Sequence, residues 1–292
     1  AWDGGEALID PLEVDLSILA GWGGDWLSHD GTHDWYLLAK HGWQVPEFCF
    51  DTQIAARLLG YERFGLAALA EAILQVEVDK SEQRSDWLQR PLSATQRAYA
   101  LGDVTHLRAL TAVLETEIEA RSLGQAWVEE SRVVLERAMT LGDRAPKPFH
   151  RVKHLRKANP LAYGRAQVIL DWRFAQAQKR DLPEFKILGD ALVLKMAMGR
   201  MRPRERDLQQ RLTKAQPVEW PRKARRSDDA KAREKRLKNW RTEVATQRPM
   251  DAAMVLPPQS LSELADGVPR DEIAALTGWR QALFGADLDQ LS

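Results

Sequence analysis

Between residues 150 and 292 the chain repeats itself at a fixed offset: Trp172-Arg173, Ala177, Arg180, Leu188 and Ala197 recur as Trp240-Arg241, Ala245, Arg248, Leu256 and Ala265. Ile187 and Val193 return conservatively as Val255 and Leu261. Self-similarity at one constant spacing means one supersecondary unit used twice. Both copies read as helix, turn, short apolar link, helix, so two homologous helical modules are expected over residues 150–213 and 230–292. In each, the tryptophan reads as a core residue rather than a stacking platform.

Residues 1–120 follow a different pattern, in which strand signals alternate with helices as in an α/β sheet. Phe48–Phe50 reads as a strand, followed by Asp51 as the N-cap of a helix running through Ile54, Leu58 and Leu59 to Gly60. The opening residues predict a turn at Gly4-Gly5 and a short buried strand through Ile9, whose pairing partner is expected upstream of Ala1. From Ser93 the pattern is helical. The capping box Ser93-Ala94-Thr95-Gln96 precedes one buried stripe of Ala100, Val104, Leu107, Leu110, Leu114 and Ile118. A further helix over 125–139 leads into a breaker-rich linker, Leu141 to Pro148. The expected fold is therefore α/β plus all-α, with domains at 1–143, 144–215 and 216–292, the last opening on a basic linker.

Charge follows the same division. The chain is formally neutral, with 42 basic and 42 acidic residues, but residues 1–143 carry −13, residues 144–248 carry +18 and residues 249–292 carry −5. A basic block of that size points to a polyanionic partner. No apolar run approaches the ~20 residues needed to cross a bilayer, and no charged n-region with an apolar h-region opens the chain. The expectation is a protein neither membrane-embedded nor secreted. The single cysteine, Cys49, excludes an internal disulfide or a Cys-rich metal site and suits a reducing compartment. In Phe48-Cys49-Phe50 it reads as a small core hydrophobe.

Two local clusters could carry chemistry. Tyr99 and Asp103 lie four apart on the Ser93 helix, so both project from one face, with His106 beside them. A carboxylate next to a phenol could hold a divalent metal and orient its water; the pair could equally be an exposed Asp and a Tyr packed at the rim of the core. Upstream, His29-Asp30-Gly31-Thr32-His33-Asp34 opens a helix that ends before Gly42. Its acids and histidines resemble a metal site, while a Thr32 or Asp30 cap with dipole-favoured acids explains them as well.

The motifs resemble a known family. Phe50-Asp51-Thr52-Gln53-Ile54-Ala55-Ala56, Val78-Asp79-Lys80-Ser81, Arg84-Ser85-Asp86-Trp87, Arg90-Pro91-Leu92-Ser93 and Tyr99-x-x-x-Asp103-Val104 are similar to bacterial ribonuclease D. That family belongs to the DEDD exonucleases, in the branch whose last motif is Tyr-x-x-x-Asp. Ala7 to Leu12 and His29-x-Gly31-x-x-Asp34 fall where the family places its second strand and second acidic motif, and the Trp-Arg repeats resemble HRDC modules, helical nucleic-acid-binding domains. The resemblance implies a ribonuclease H-like mixed-sheet exonuclease domain, incomplete at its N-terminus, followed by two HRDC-like domains. It implies a 3′→5′ exoribonuclease trimming RNA 3′ ends, such as those of tRNA precursors, by two-metal phosphodiester hydrolysis with Mg²⁺ or Mn²⁺. Asp34 and Asp103 match two of the four metal-holding carboxylates, and Tyr99 matches the residue that positions the attacking water. The family's first motif, Asp-x-Glu, supplies the other two; it is expected upstream of Ala1, and Asp3 and Glu6 have the wrong spacing to replace it. A non-catalytic RNA-binding protein that kept the fold is the other reading. The resemblance further implies a cytoplasmic protein whose partner is RNA with a 3′ single-stranded end, without an obligate protein partner.

Phosphate contacts are expected from Lys153, Arg156, Lys157, Arg165, Arg180 and Lys186 in the first module. Lys80, Arg84 and Arg90, in the loop before Tyr99, are candidates for the substrate backbone, with an ion pair to Asp86 as the competing role.

Overall fold

The computed structural model describes every residue except 2–4, 12, 16, 18–23, 80, 84, 142–144, 222–225 and 292. The chain forms two compact units, one made of residues 1–142 together with 226–292 and the other of residues 143–225.

In the first unit, β1 (Leu27–Ser28) pairs in parallel with β2 (Phe50–Asp51), Leu27 facing Phe50 and Ser28 facing Asp51. Around this pair lie α1 (Thr32–Lys40), α2 (Thr52–Leu58), α3 (Leu66–Leu69, continued to Leu74 as a π-helical turn), α4 (Ala94–Thr105), α5 (Leu107–Ala120) and α6 (Gly124–Thr140). The sheet is thus smaller than the mixed sheet expected, two strands among the described residues, and the unit is mostly helical. Residues 6–10, expected as a strand, have no regular structure, because a strand forms only beside a hydrogen-bonded neighbour and none of the described residues supplies one. The predicted Gly4-Gly5 turn lies partly outside the described residues. Ser93 caps α4 in a full capping box with Gln96, as its spacing predicts. The long helix expected beyond it is broken: α4 ends at His106 and α5 starts immediately after, so Leu107, Leu110, Leu114 and Ile118 bury a stripe that Ala100 and Val104 only flank.

The second unit holds the first repeat copy in α7 (Pro160–Arg180), α8 (Glu184–Ile187), α9 (Asp190–Ala197) and α10 (Arg206–Thr213). Its core is built from Leu155, Tyr163, Ile169, Leu170, Trp172 and Val193. The second copy forms α11 (Asp228–Gln247), α12 (Ala252–Val255), α13 (Pro258–Ala265) and α14 (Gly278–Leu291). Pro160, Glu184 and Asp190, which open α7, α8 and α9, stand at the repeat offset from Asp228, Ala252 and Pro258, which open α11, α12 and α13. The repeat seen in the letters is therefore also a repeat of elements.

The second copy is not a compact unit by itself. Leu237, Val255, Leu256, Trp279 and Phe284 share one core with Trp35, Leu58, Leu114, Trp127 and Val134, which come from the stretch before Gly142. Polar contacts pin that seam. The Arg280 guanidinium donates to Glu130 Oε1 at 2.6 Å and to the Met254 carbonyl at 2.8 Å, and Trp279 Nε1 donates to the same Glu130 oxygen at 3.0 Å. Asp251 N donates to the Arg57 carbonyl at 2.8 Å. At Gly60 (φ 78°) a Cβ would sit 2.5 Å from the Pro249 carbonyl carbon, so only glycine lets the two backbones approach this closely.

Candidate active site and nucleic-acid surface

The acidic site is organised from β2. Asp51 is 1% exposed, and its carboxylate accepts from five donors. Oδ1 takes Gln53 N (3.0 Å), Ile54 N (3.2 Å) and Asp30 N (3.2 Å), while Oδ2 takes Ser28 Oγ (2.8 Å) and Gly31 N (3.0 Å). The Asp51 carbonyl accepts Trp127 Nε1 at 2.9 Å. One buried carboxylate therefore caps α2, as expected, and also holds the turn that launches α1. The cap predicted for α1 from Thr32 or Asp30 is not formed: Gly31 is the N-cap residue, without a side-chain bond, and its amide turns to Asp51 instead. A Cβ at position 31 would meet Ser28 and Trp35 side-chain atoms at 2.7 Å, which accounts for the glycine. Asp30 takes a left-handed backbone (φ 54°) to make this turn.

That turn places Asp34 in the first turn of α1. Surrounding protein raises its carboxyl above the ordinary value, and the negative charges of Asp30, Asp103 and Asp51 add to the shift against His33. Its side chain is nonetheless open to solvent at the surface, so it sits in a crowded but accessible position. Asp103, on the last turn of α4, is likewise raised by burial while accessible. Tyr99 lies one turn before it, half-buried, with its ring 5.7 Å from that of Trp87. Burial, then Asp103 and Asp79, push its phenol up and keep it protonated at neutral pH. The fold thus brings Asp34 within the field of Asp103, far away in sequence, and sets Tyr99 within the same field.

The remaining histidines and acids of the first cluster divide. His29 Nδ1 is 2.9 Å from Thr52 Oγ1, whose own proton goes to the Ser28 carbonyl (3.0 Å), so Nδ1 carries the hydrogen. Burial lowers the His29 pKa, against Asp51 and Asp30. It anchors the turn as a neutral ring. Cys49 is buried in the core as expected, and burial pushes its thiol up to about 12. Among the described residues no group of three or more His, Cys, Asp or Glu side chains could hold a metal ion. Asp34 and Asp103 have the right chemistry for a divalent cation, but two carboxylates are not the donor set of a two-metal centre. The described residues therefore do not by themselves fit two ions.

Of the loop residues, Lys80 and Arg84 lie outside the described residues. Arg90 pairs with Asp10, through Nε and through Nη2 at 2.9 Å, and also donates to the carbonyls of Trp87 (2.7 Å) and Gln89 (2.9 Å). The carboxylate opposite Arg90 is thus Asp10, not Asp86, which instead accepts Leu88 N at 3.0 Å. The guanidinium braces the loop on which Trp87 meets Tyr99.

In the second unit, Lys153, Arg156 and Lys157 are exposed around the 3₁₀ turn Leu155–Lys157. Tyr163 Oη anchors this turn, 2.9 Å from the Arg156 carbonyl and 2.8 Å from that of Ala158. Arg165 is half-buried within α7; Arg180 closes that helix and Lys186 lies on α8, both exposed. Along α7, Arg165 and Arg180 stand about 22 Å apart at about 1.5 Å per residue. The six cations are therefore spread over the module rather than gathered in one patch. Among the described residues of the second basic run, Arg226 is engaged with Glu234 and Asp266, Arg233 with the Ala265 carbonyl, and Lys238 with Glu234. Trp172 is buried and bonded to Asp207 (2.7 Å); Trp240 is half-buried against Phe284.

Sequence reasoning finds Asp51 as a helix cap and misses it as the residue holding the α1 turn. A lone acid between an apolar strand and the apolar helix it caps is the available signal.

Residues 6–119 match the family model of the 3′-5′ exonuclease domain, so the first unit carries a domain of that class. Ribonuclease D of Haemophilus influenzae is 34% identical over 71% of this chain, and that of Nitrobacter hamburgensis 30% identical over 82% of this chain and 69% of its own length. The chain belongs to the ribonuclease D family. It spans about half the length, 54%, of the Haemophilus influenzae and Desulfotalea psychrophila relatives. Among solved structures, Escherichia coli RNase D, described as an exoribonuclease involved in structured RNA processing, superposes with a TM-score of 0.67 over 96% of this chain and 81% of its own, at 23% identity. A protein from Bifidobacterium adolescentis superposes at 0.76 over 92% and 78%, also at 23% identity. These likenesses show a shared fold. No helix among the described residues is long and apolar enough to cross a membrane.

Proposed function

We propose that the protein is a 3′→5′ exoribonuclease that trims RNA 3′ ends, tRNA precursors or other structured RNA, in the cytoplasm. One observation carries the reading: the charge of Asp103, on α4, reaches the raised carboxyl of Asp34, on α1, and also the protonated phenol of Tyr99. A partly desolvated carboxylate that feels a second acid suits a place that a divalent cation neutralises. In this reading a divalent cation, Mg²⁺ or Mn²⁺, would supply Lewis-acid chemistry. Asp34 and Asp103 would hold it, and the Tyr99 hydroxyl would orient the attacking water by hydrogen bonding. The HRDC-like modules then divide the work: the first, with its exposed cations, contacts phosphates of an RNA with a single-stranded 3′ end, and the second packs against the nuclease domain.

The test is shortening of 3′-end-labelled against 5′-end-labelled RNA in Mn²⁺. Stepwise loss from the 3′ end is expected, abolished by Asp103→Asn with RNA affinity kept, and slowed by Tyr99→Phe. The second reading is an RNA-binding protein without catalysis. It is the result if neither label is ever shortened while RNA still binds.

A further inference from the structure

Among the described residues, Phe185 is the one aromatic ring in the set of strongly exposed large apolar side chains, at 67% exposure. It sits on α8, a single helical turn that is held from below. The buried Arg173 donates from Nε (2.9 Å) and Nη2 (2.6 Å) to Glu184, the residue before Phe185, and from Nη1 to the Leu188 carbonyl (3.2 Å) and Asp190 (2.9 Å). A ring on a turn anchored this way is presented to solvent in a fixed place. The Lys186 ammonium lies 5.9 Å from the ring centroid, so the apolar face is paired with a cation.

The second repeat copy carries the same turn with different side chains. At the repeat offset, Glu184-Phe185-Lys186 becomes Ala252-Ala253-Met254 on α12. There Met254 is 5% exposed, in the core shared with α2, α5 and α6, and Arg280 reaches its carbonyl. Met254 stands at the place of Lys186, while Ala253, at the place of Phe185, is half-buried, so in the second copy the turn is apolar and packed at its Met254 side. In the first copy it stays uncovered and carries a ring and a cation instead, within a block of charge +18. That exchange fits a polyanion with flat apolar faces.

We propose that Phe185 is a stacking platform for an unpaired base, with Lys186 on the adjoining phosphate. The proposal rests on the reading of residues 143–225 as an RNA-binding unit, and narrows its ligand to single-stranded segments. Aromatic stacking tolerates any base, and duplexed bases offer no free face.

The experiment titrates the full chain against a short fluorescent oligouridylate and a blunt RNA duplex, each at several salt concentrations. Phe185→Ala and Phe185→Leu should each weaken oligouridylate binding about ten-fold, the scale of one lost base–aromatic stack. Phe185→Tyr should bind like the parent, duplex affinity should not move, and the salt slope should stay the same. Lys186→Ala should instead flatten the slope by about 0.7, one phosphate contact. Unchanged oligouridylate affinity in Phe185→Ala, as for a ring that docks a protein, overturns the proposal. So does an equal loss on the duplex, or full retention in Phe185→Leu, which marks mere apolar contact. A parent chain that binds neither RNA overturns the RNA reading of the unit along with this one.

Discussion

Arg173 and Arg241 occupy the same place in the two repeat copies, and each donates to the carbonyl of the equivalent leucine, Leu188 at 3.2 Å and Leu256 at 3.3 Å. Only Arg173 has acids: Glu184 and Asp190 are replaced by Ala252 and Pro258 in the second copy. Arg241 Nε is left buried without a hydrogen-bond partner. The two arginines should answer mutation differently. Removing one partner of a buried pair costs about 3–5 kcal/mol, but Glu184 and Asp190 are partly exposed and regain water, so Arg173→Ala should destabilise its unit by about 2–3 kcal/mol. Arg241→Met loses one long hydrogen bond and relieves an orphaned donor worth about 1–3 kcal/mol, so it should be near neutral. Native-state hydrogen exchange on α7 and α11 reads each separately; equal losses would mean that the acids of the first copy contribute nothing.

Asp34 and Asp103 carry a testable pH dependence. A carboxyl whose folded pKa is raised above its ordinary value of 3.8 holds its proton better in the native state, so it adds stability at low pH that is lost as pH rises from that value through the raised one. At neutral pH both are charged and oppose folding. Asp34→Asn should therefore raise the metal-free melting temperature at pH 7 and leave it nearly unchanged at pH 3. Mn²⁺ should stabilise the parent protein, and Asp34→Asn should lose most of that gain. A melting temperature lowered by Asp34→Asn at pH 7 would show that the acid is a structural hydrogen-bond partner.

The legibility of this chain in its sequence follows the range of the interaction. The repeat, the Ser93 capping box, the Asp51 cap and the Gly42 and Gly60 helix exits are local patterns, and the structure forms each where the residues place it. The Asp34 turn is harder to read, because its holding group, Asp51, lies well downstream of the Gly31 amide it accepts from. The one-helix reading of Ser93 to Ile118 fails because the apolar spacing of Ala100 and Val104 runs on into Leu107 across the break at His106, although only the α5 residues form the buried stripe. Periodicity also tells which face is buried and not against what, so the packing of the second copy on α2, α5 and α6 leaves no trace in either pattern.

That packing has its own test in Glu130 and Arg280, distant in sequence and both almost wholly buried. Glu130 accepts from Arg280 and Trp279 together, so Glu130→Ala strands a guanidinium and an indole N–H at once. A loss of about 3–5 kcal/mol is expected, in a single unfolding transition shared by residues 1–142 and 226–292. A variant in which both partners become apolar, Glu130→Leu with Arg280→Met, should recover much of it, because no charge is left unpaired. A double variant as unstable as the single would place the energy in the Met254 and Ala275 carbonyl bonds of Arg280 instead.

The exposed cations of the first module give RNA binding a salt dependence. Lys153, Arg156 and Lys157 stand exposed around one anchored turn, whereas Arg226, Arg233 and Lys238 are tied to partners within their own module. Binding by the first group should dominate the electrostatic part of RNA affinity. Each phosphate neutralised releases counterion at a slope of about −0.7 on single strands, so replacing the three together in the full chain should flatten the salt dependence by up to roughly two units. Phosphate contacts carry no base information, so the loss should be the same on every RNA sequence. Replacing Arg226, Arg233 and Lys238 should lower stability and leave the slope in place. If the slope instead follows that second set, the ion pairs of α11 open on binding, and the RNA track runs over the second copy.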